Sequence, residues 1–289
     1  MTFVLVAGTT ATARIDGISA AGADPAAMVW TPTADVEILV EGEPVDAPTV
    51  PVSPSGCPTP ALLTRAVREL VGFNVEVVDA GLACEPGIPT RIVATDPGGD
   101  VRTEEPVPKA DAIWRRSRAV GEAVAHESDE RVSVGETIPG GTTTALGVAR
   151  ALGVDLSVSS SLPENPTERK QRVVREGLAE SAIAPGDLDG DPRRAVRCQG
   201  DPVLAAVAGL VEGALSAGAS VTLAGGTQLL AAAALLRHAG IGAPLELATT
   251  SYVAGDPTAT VRTTADELDL TLTVTDPGFA GCGHAGLGR

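Results

Sequence analysis

Ten consecutive residues, Gly135-Glu136-Thr137-Ile138-Pro139-Gly140-Gly141-Thr142-Thr143-Thr144, hold the residue types from which an anion cradle is built. Glycine lets the backbone approach a ligand closely. The first amides of a helix lack internal partners and lie at the positive end of its dipole. Threonine hydroxyls add further donors. The spacing approaches that of a P-loop, with Gly135, Gly140 and Thr142 in register, but Gly141 stands where such a loop has the lysine that reaches the β- and γ-phosphates. A monophosphate is therefore expected rather than a triphosphate. The alternative is a plainly capped helix after a tight turn.

Gly225-Gly226-Thr227-Gln228 is a weaker form of the same device. Two helix N-termini at adjacent strand ends could hold a phosphate and a sugar together. Asp201, in Gly200-Asp201-Pro202, offers either a carboxylate to ribose hydroxyls or a simple N-cap. Asp79 ends an apolar strand on the ligand side of a parallel sheet, as a functional group or as a turn-former. Ser159 to Ser161, before Pro163, Asn165 and Pro166, reads as turn chemistry, and Lys170 as part of a solvated helix face. The chain holds no nucleophile elbow, no HExxH and no GxGxxG after a strand, so hydrolase and dehydrogenase chemistry have nothing to rest on. Cys57, Cys84, Cys198 and Cys282 are far apart, as are His126, His238 and His284. Cys282 and His284 alone do not make a zinc site, so neither a metal nor a cofactor is expected.

These candidates need a frame that brings them to one edge. Apolar segments at 3–8, 74–81, 131–135, 220–224 and 244–250 read as strands. Segments at 60–72, 109–126, 142–152, 166–180, 201–217 and 227–239 read as helices. Strands alternating with helices predict an α/β fold, a Rossmann-like parallel sheet covered on both faces, whose ligands bind beyond the carboxyl ends of the strands. A single domain over 1–289 is expected, with residues 1–60 contributing to a smaller subdomain. Seven prolines between Thr31 and Pro60 leave room there only for short extended pieces such as Val36 to Val40.

The formal charge is -16 and only Lys109 and Lys170 are lysines. Such a surface repels nucleic acid and anionic membranes, and it suits a protein kept soluble in concentrated salt. Aromatic residues make up 2%, so no base-stacking platform exists and the core must be built from small aliphatic contacts. The initial FVLVAG is too short to cross a bilayer, and a cytoplasmic location is expected.

GETIPGGTTTALGV at 135–148, NVEVVDAG at 74–81, GDPVLAAVAGL at 200–210 and LAGGTQLLAAAAL at 223–235 together resemble the nicotinate-nucleotide:dimethylbenzimidazole phosphoribosyltransferase family. With the GIS-AAG segment at 17–22, the resemblance is closer to that family's uncharacterised archaeal, haloarchaeal branch. It implies a parallel α/β sheet with a smaller domain, a homodimer, and small-molecule substrates, nicotinate mononucleotide and an azole base. The implied reaction moves the phosphoribosyl group onto the azole, toward the lower nucleotide of cobamides. Gly135, Gly140, Gly141, Thr142, Thr143, Asp201, Gly225, Gly226 and Thr227 would then hold substrate. The family's catalytic glutamate lies in a C-terminal Glu-Gly-x-Gly-Ala segment that these residues, ending at Gly286-Leu287-Gly288-Arg289, do not include. The role of base therefore falls to Glu136, whose pKa desolvation would raise toward neutrality. Three readings stay open: this transferase, a non-catalytic protein that binds a nucleotide or cobamide precursor on the same fold, and a different transferase acting on another phosphorylated sugar.

Overall fold

The computed structural model describes residues 1–19, 25–53, 56–128 and 131–278. Cys282, His284, the terminal Gly286–Arg289 stretch and the end of the GIS-AAG segment lie outside them. In chain order the elements are β1 (Thr2–Ala7), a 3-10 turn (Ala11–Arg14), α1 (Pro25–Met28), α2 (Thr31–Glu41), α3 (Ala61–Val71), β2 (Asn74–Ala80) and β3 (Arg91–Ala94). Then follow α4 (Ala110–Glu127), β4 (Arg131–Thr137), α5 (Gly141–Leu152), α6 (Thr167–Glu180), α7 (Pro192–Gln199), α8 (Pro202–Ser216) and β5 (Ser220–Ala224). The last are α9 (Thr227–His238), β6 (Leu245–Thr250), α10 (Ser251–Ala254), α11 (Val261–Glu267) and β7 (Leu270–Thr275).

The strands form one seven-stranded sheet in the order β3-β2-β1-β4-β5-β6-β7, and every pairing is parallel. From β1 the chain winds outward to β2 and β3, and from β4 it winds the opposite way. The order reverses between β1 and β4, and ligands of doubly wound sheets bind beyond the carboxyl ends of the strands at such a reversal.

One face of the sheet is covered by an aliphatic cluster in which Val4, Val6, Val132 and Val134 meet Val203, Leu204 and Val207 of α8. Against α8 lies α4, close enough that a Cβ on Gly213 would stand 2.0 Å from the Arg118 carbonyl oxygen. Small residues thus replace bulk with contact density, consistent with a core poor in aromatics.

The other face is covered by α2, where Val36 and Leu39 join Leu5, Ala7 and Val77. This corrects the expectation of extended pieces at 36–40: the segment is a helix, and nearly every residue from Thr31 to Leu39 is buried. Its prolines punctuate rather than break it. Pro32 sits in the first turn, where its missing N–H costs nothing, Gly42 closes the helix at φ 95°, and Pro44 follows. Burial of three aliphatic side chains at roughly 1.5–3 kcal/mol each holds such a short helix down. Among the described residues, no helix is long and apolar enough to cross a membrane.

Candidate functional site

Strand β4 continues two residues past its expected end, because Glu136 and Thr137 pair with Val6 and Ala7 of β1. Glu136 therefore projects from a rigid strand and not from a loop. Alternation sends Glu136 to the α8 face with Val6, and Thr137 to the α2 face with Ala7. Glu136 is half-buried, and its carboxyl has no hydrogen-bond partner among the described residues. Burial, reinforced by the neighbouring carboxylates of Asp201 and Asp35, pushes its pKa up to about 8.

Both neighbours are buried. Asp201 caps α8 by accepting from the Leu204 amide at 2.8 Å. Its Oδ2 accepts from Thr144 Oγ1 of α5 at 2.5 Å and from Gln228 Nε2 of α9 at 3.1 Å. The first turns of α5, α8 and α9 thus converge on one carboxylate. Burial raises the Asp201 pKa, and these hydrogen bonds work against the rise. With no exposed surface, Asp201 serves as the N-cap and hub, and its oxygens are closed to a sugar. Asp35 accepts from Thr59 Oγ1 and from Thr137 Oγ1, each at 2.6 Å. Burial raises its pKa to about 6, with the two hydroxyl bonds opposing.

The glycines of the 135–144 loop make room for the chain itself. Gly140 lies at φ 81°, and a Cβ there would stand 2.9 Å from the Ala13 amide nitrogen. A Cβ on Gly141 would stand 2.1 Å from Gln228 Oε1, and one on Gly135 2.7 Å from the Phe3 ring. Thr142 is half-buried with no partner for its hydroxyl among the described residues. Thr143 is fully buried with its hydroxyl unsatisfied.

At the second loop, the Gly225 amide donates to the Ala248 carbonyl, while Gly225 and Gly226 stay half-buried at the mouth of α9. Thr227 Oγ1 lies 3.2 Å from Ser159 Oγ and accepts from the Ser159 amide at 3.3 Å. The Ser159 carbonyl accepts from Lys170 Nζ at 2.6 Å.

Lys170 is therefore not on a solvated face: it is 1% exposed. The 157–165 segment folds over α6, and burial lowers the Lys170 pKa to about 8, partly offset by Asp256. An ammonium has three donors, and here the Ser159 carbonyl takes one. Through Ser159, which also contacts Thr227, the buried Lys170 ammonium is tied to the start of α9.

Asp79 forms a turn: its Oδ1 accepts from the Gly81 and Leu82 amides, both at 2.8 Å. Three further members of the site are absent from the sequence expectations. Asp35 lay hidden in the proline-rich stretch. Lys170 is hidden by its polar helix, and Gln228, at the end of the Gly225-Gly226-Thr227-Gln228 motif, has a partner only through the fold. The signal for Asp35 was the Pro32-to-Gly42 punctuation, which marks a helix. Among the described residues no group of His, Cys, Asp and Glu could hold a metal ion.

No family model matches the chain. A UPF0284 protein of Halobacterium salinarum is 58% identical over 277 residues, covering 96% of this chain and 82% of that protein. UPF0284 proteins of Methanothermobacter thermautotrophicus and Pyrococcus furiosus are each 40% identical, covering 99% of this chain and 81% and 86% of theirs. The fold is similar to that of CobT from Thermus thermophilus, with TM-score 0.69 and 20% identity over 95% of this chain and 76% of that one. A nicotinate-nucleotide-dimethylbenzimidazole phosphoribosyltransferase structure from the same organism gives TM-score 0.68 at 20% identity, over 94% and 74%.

Proposed function

The chain belongs to the UPF0284 family, and from that premise and the carboxyl group at the end of β4 we propose that it is a phosphoribosyltransferase of cobamide lower-ligand assembly. The observation that carries this reading is Glu136: a carboxyl without a partner among the described residues, at the end of β4 beside β1 where the strand order reverses, with its pKa pushed up to about 8. It is the kind of group that takes a proton near neutral pH.

The substrates are nicotinate mononucleotide and a benzimidazole-type base. The bond from the ribose anomeric carbon to the pyridinium nitrogen breaks, and its electron pair stays with the ring, which leaves as nicotinate. An azole nitrogen bonds to the anomeric carbon from the opposite face, and the azole proton passes to the Glu136 carboxylate and then to solvent through its open side. The leaving group needs no protonation, so positioning and one base account for the chemistry. The phosphate is held by Thr142 and by the half-buried Gly225 and Gly226 at the mouth of α9, with the buried Lys170 ammonium on the Ser159 carbonyl adding positive charge behind that mouth. A cytoplasmic homodimer is part of the same reading.

One observation favours a second reading, a nucleotide-binding protein without turnover: Ala13 and Gln228 already occupy the space over Gly140 and Gly141. Incubation of the protein in multimolar salt with nicotinate mononucleotide and dimethylbenzimidazole should yield α-ribazole phosphate, and Glu136→Gln should abolish it. Calorimetric binding with no product from any azole supports the second reading. Absence of binding defeats both.

A further inference from the structure

Two acidic residues of α2 are buried on the same helix, and the chain treats them differently. Glu37 receives four backbone N–H groups, from Val45, Asp46, Ala47 and Gly87. That arrangement is complete in itself and holds two loops in place. Asp35 receives only two threonine hydroxyls, from Thr59 and Thr137. Thr59 also accepts from the Ala61 amide at the start of α3, so Asp35 joins the α2–α3 layer to the last residue of β4. That residue adjoins Glu136.

A clamp between two hydroxyls does not require a charge, since an amide can accept from one and donate to the other. Burying a carboxylate with two neutral partners is costly, and one of those partners, Thr137, adjoins Glu136, whose carboxyl has no hydrogen-bond partner among the described residues. The charged groups that act on Glu136 are Asp201 from α8, on its own face of the sheet, and Asp35 from α2, on the other face behind Thr137, and β1 contributes the apolar Val6 beside it. Those facing Asp35 are Thr59 and Thr137. No cation acts on Glu136 among the described residues.

We propose that Asp35 is a positioning residue for Glu136: its bridge from Thr59 to Thr137 fixes the end of β4, and its negative charge there makes the Glu136 carboxylate a stronger proton acceptor. This rests on the reading of Glu136 as the base. It adds that the α2–α3 layer, on the opposite face of the sheet, sets the proton affinity of the site. The 2.6 Å bond from Thr137 to Asp35 places a carboxyl against the residue that adjoins Glu136, and a negative charge so placed disfavours a second one.

The test uses the full chain in multimolar salt, with glutamate side chains labelled at the carboxyl carbon and the Glu136 signal assigned by its loss in Glu136→Gln. In Asp35→Asn, which keeps the clamp and removes the charge, the Glu136 titration midpoint should move to lower pH by about one unit. Thr137→Val, which releases one arm of the clamp and keeps the charge, should leave the midpoint raised and lower kcat at unchanged KM. An unmoved midpoint in folded Asp35→Asn overturns the proposal, whatever the activity. Should Asp35→Asn fail to fold, wild-type kcat in Thr137→Val overturns it. The titration needs no turnover, so a shifted midpoint in a protein without transferase activity defeats the proposed function and leaves the coupling of the two carboxyls intact.

Discussion

Replacing Glu136 by Gln should stabilise the protein, and the gain should depend on pH in one direction. The pKa rises from an ordinary 4.5 to about 8 in the fold, about 3.5 units. At about 1.36 kcal/mol per unit this amounts to a ceiling of about 5 kcal/mol. The carboxyl is partly open to water, so an effect of about 2 to 3 kcal/mol is expected. Below pH 4.5 the group is neutral both folded and unfolded, and Gln and Glu should be equivalent. Between pH 4.5 and about 8 the unfolded chain ionises while the folded one resists, so the wild type loses stability as pH rises. Above about pH 8 both forms are ionised and the loss is complete. Thermal unfolding in multimolar salt should show Glu136→Gln matching wild type at pH 4 and melting roughly 5 to 10 °C higher at pH 9. A gain of equal size at every pH, or a lower melting point at pH 9, would refute the argument that Glu136 is held uncomfortably. The same variant should be inactive, as expected where a site holds a strained group for its chemistry.

Lys170→Met should raise the melting temperature at pH 7 while weakening phosphate binding measured by calorimetry. The Lys170 pKa falls to about 8 in the fold, so wild-type stability increases as pH rises from there toward 10.5 and the advantage of Met fades over that range. Glu37→Gln should cost about 2 to 3 kcal/mol in denaturant titrations at pH 7. The Glu37 pKa is lowered, so the stability it confers is present above the ordinary 4.5 and is lost on acidification through the lowered value, where variant and wild type should converge. Gly141→Ala should lower the melting temperature by displacing the Gln228 amide, and Gln228→Ala in the same chain should recover part of the loss.

Much of this arrangement could be read along the sequence. Apolar segments bounded by glycine gave the strands of the parallel sheet, because a strand buried on both faces writes a continuous aliphatic run. The loop at 135–144 was visible through its glycines, but their purpose was not. A glycine that admits a ligand and one that admits Gln228 look the same until the partner is placed. Prolines concealed α2, since their count outweighed their positions at the two ends of a helix. Lys170 reads as solvated for a related reason: α6 is polar, and the group that takes its ammonium is the backbone carbonyl of Ser159, which leaves no mark in the side-chain pattern. Asp201 was legible as a cap and Asp79 as a turn-former, since both bond to amides within three residues. Asp35 was invisible because its partner Thr137 is 102 residues away.

The strand order also bears on how the chain is made. Strand β1 is synthesised first, yet its two flanking partners, β2 and β4, end at Ala80 and Thr137. An aliphatic strand with two unpaired edges must therefore wait for nearly half the chain to be translated before its second neighbour arrives. With no hairpin anywhere in the sheet, every pairing closes a long loop, which slows folding and exposes strand edges meanwhile. The surroundings of Glu136 are completed only when β4 docks on β1. Nascent chains shorter than that should depend most heavily on chaperones.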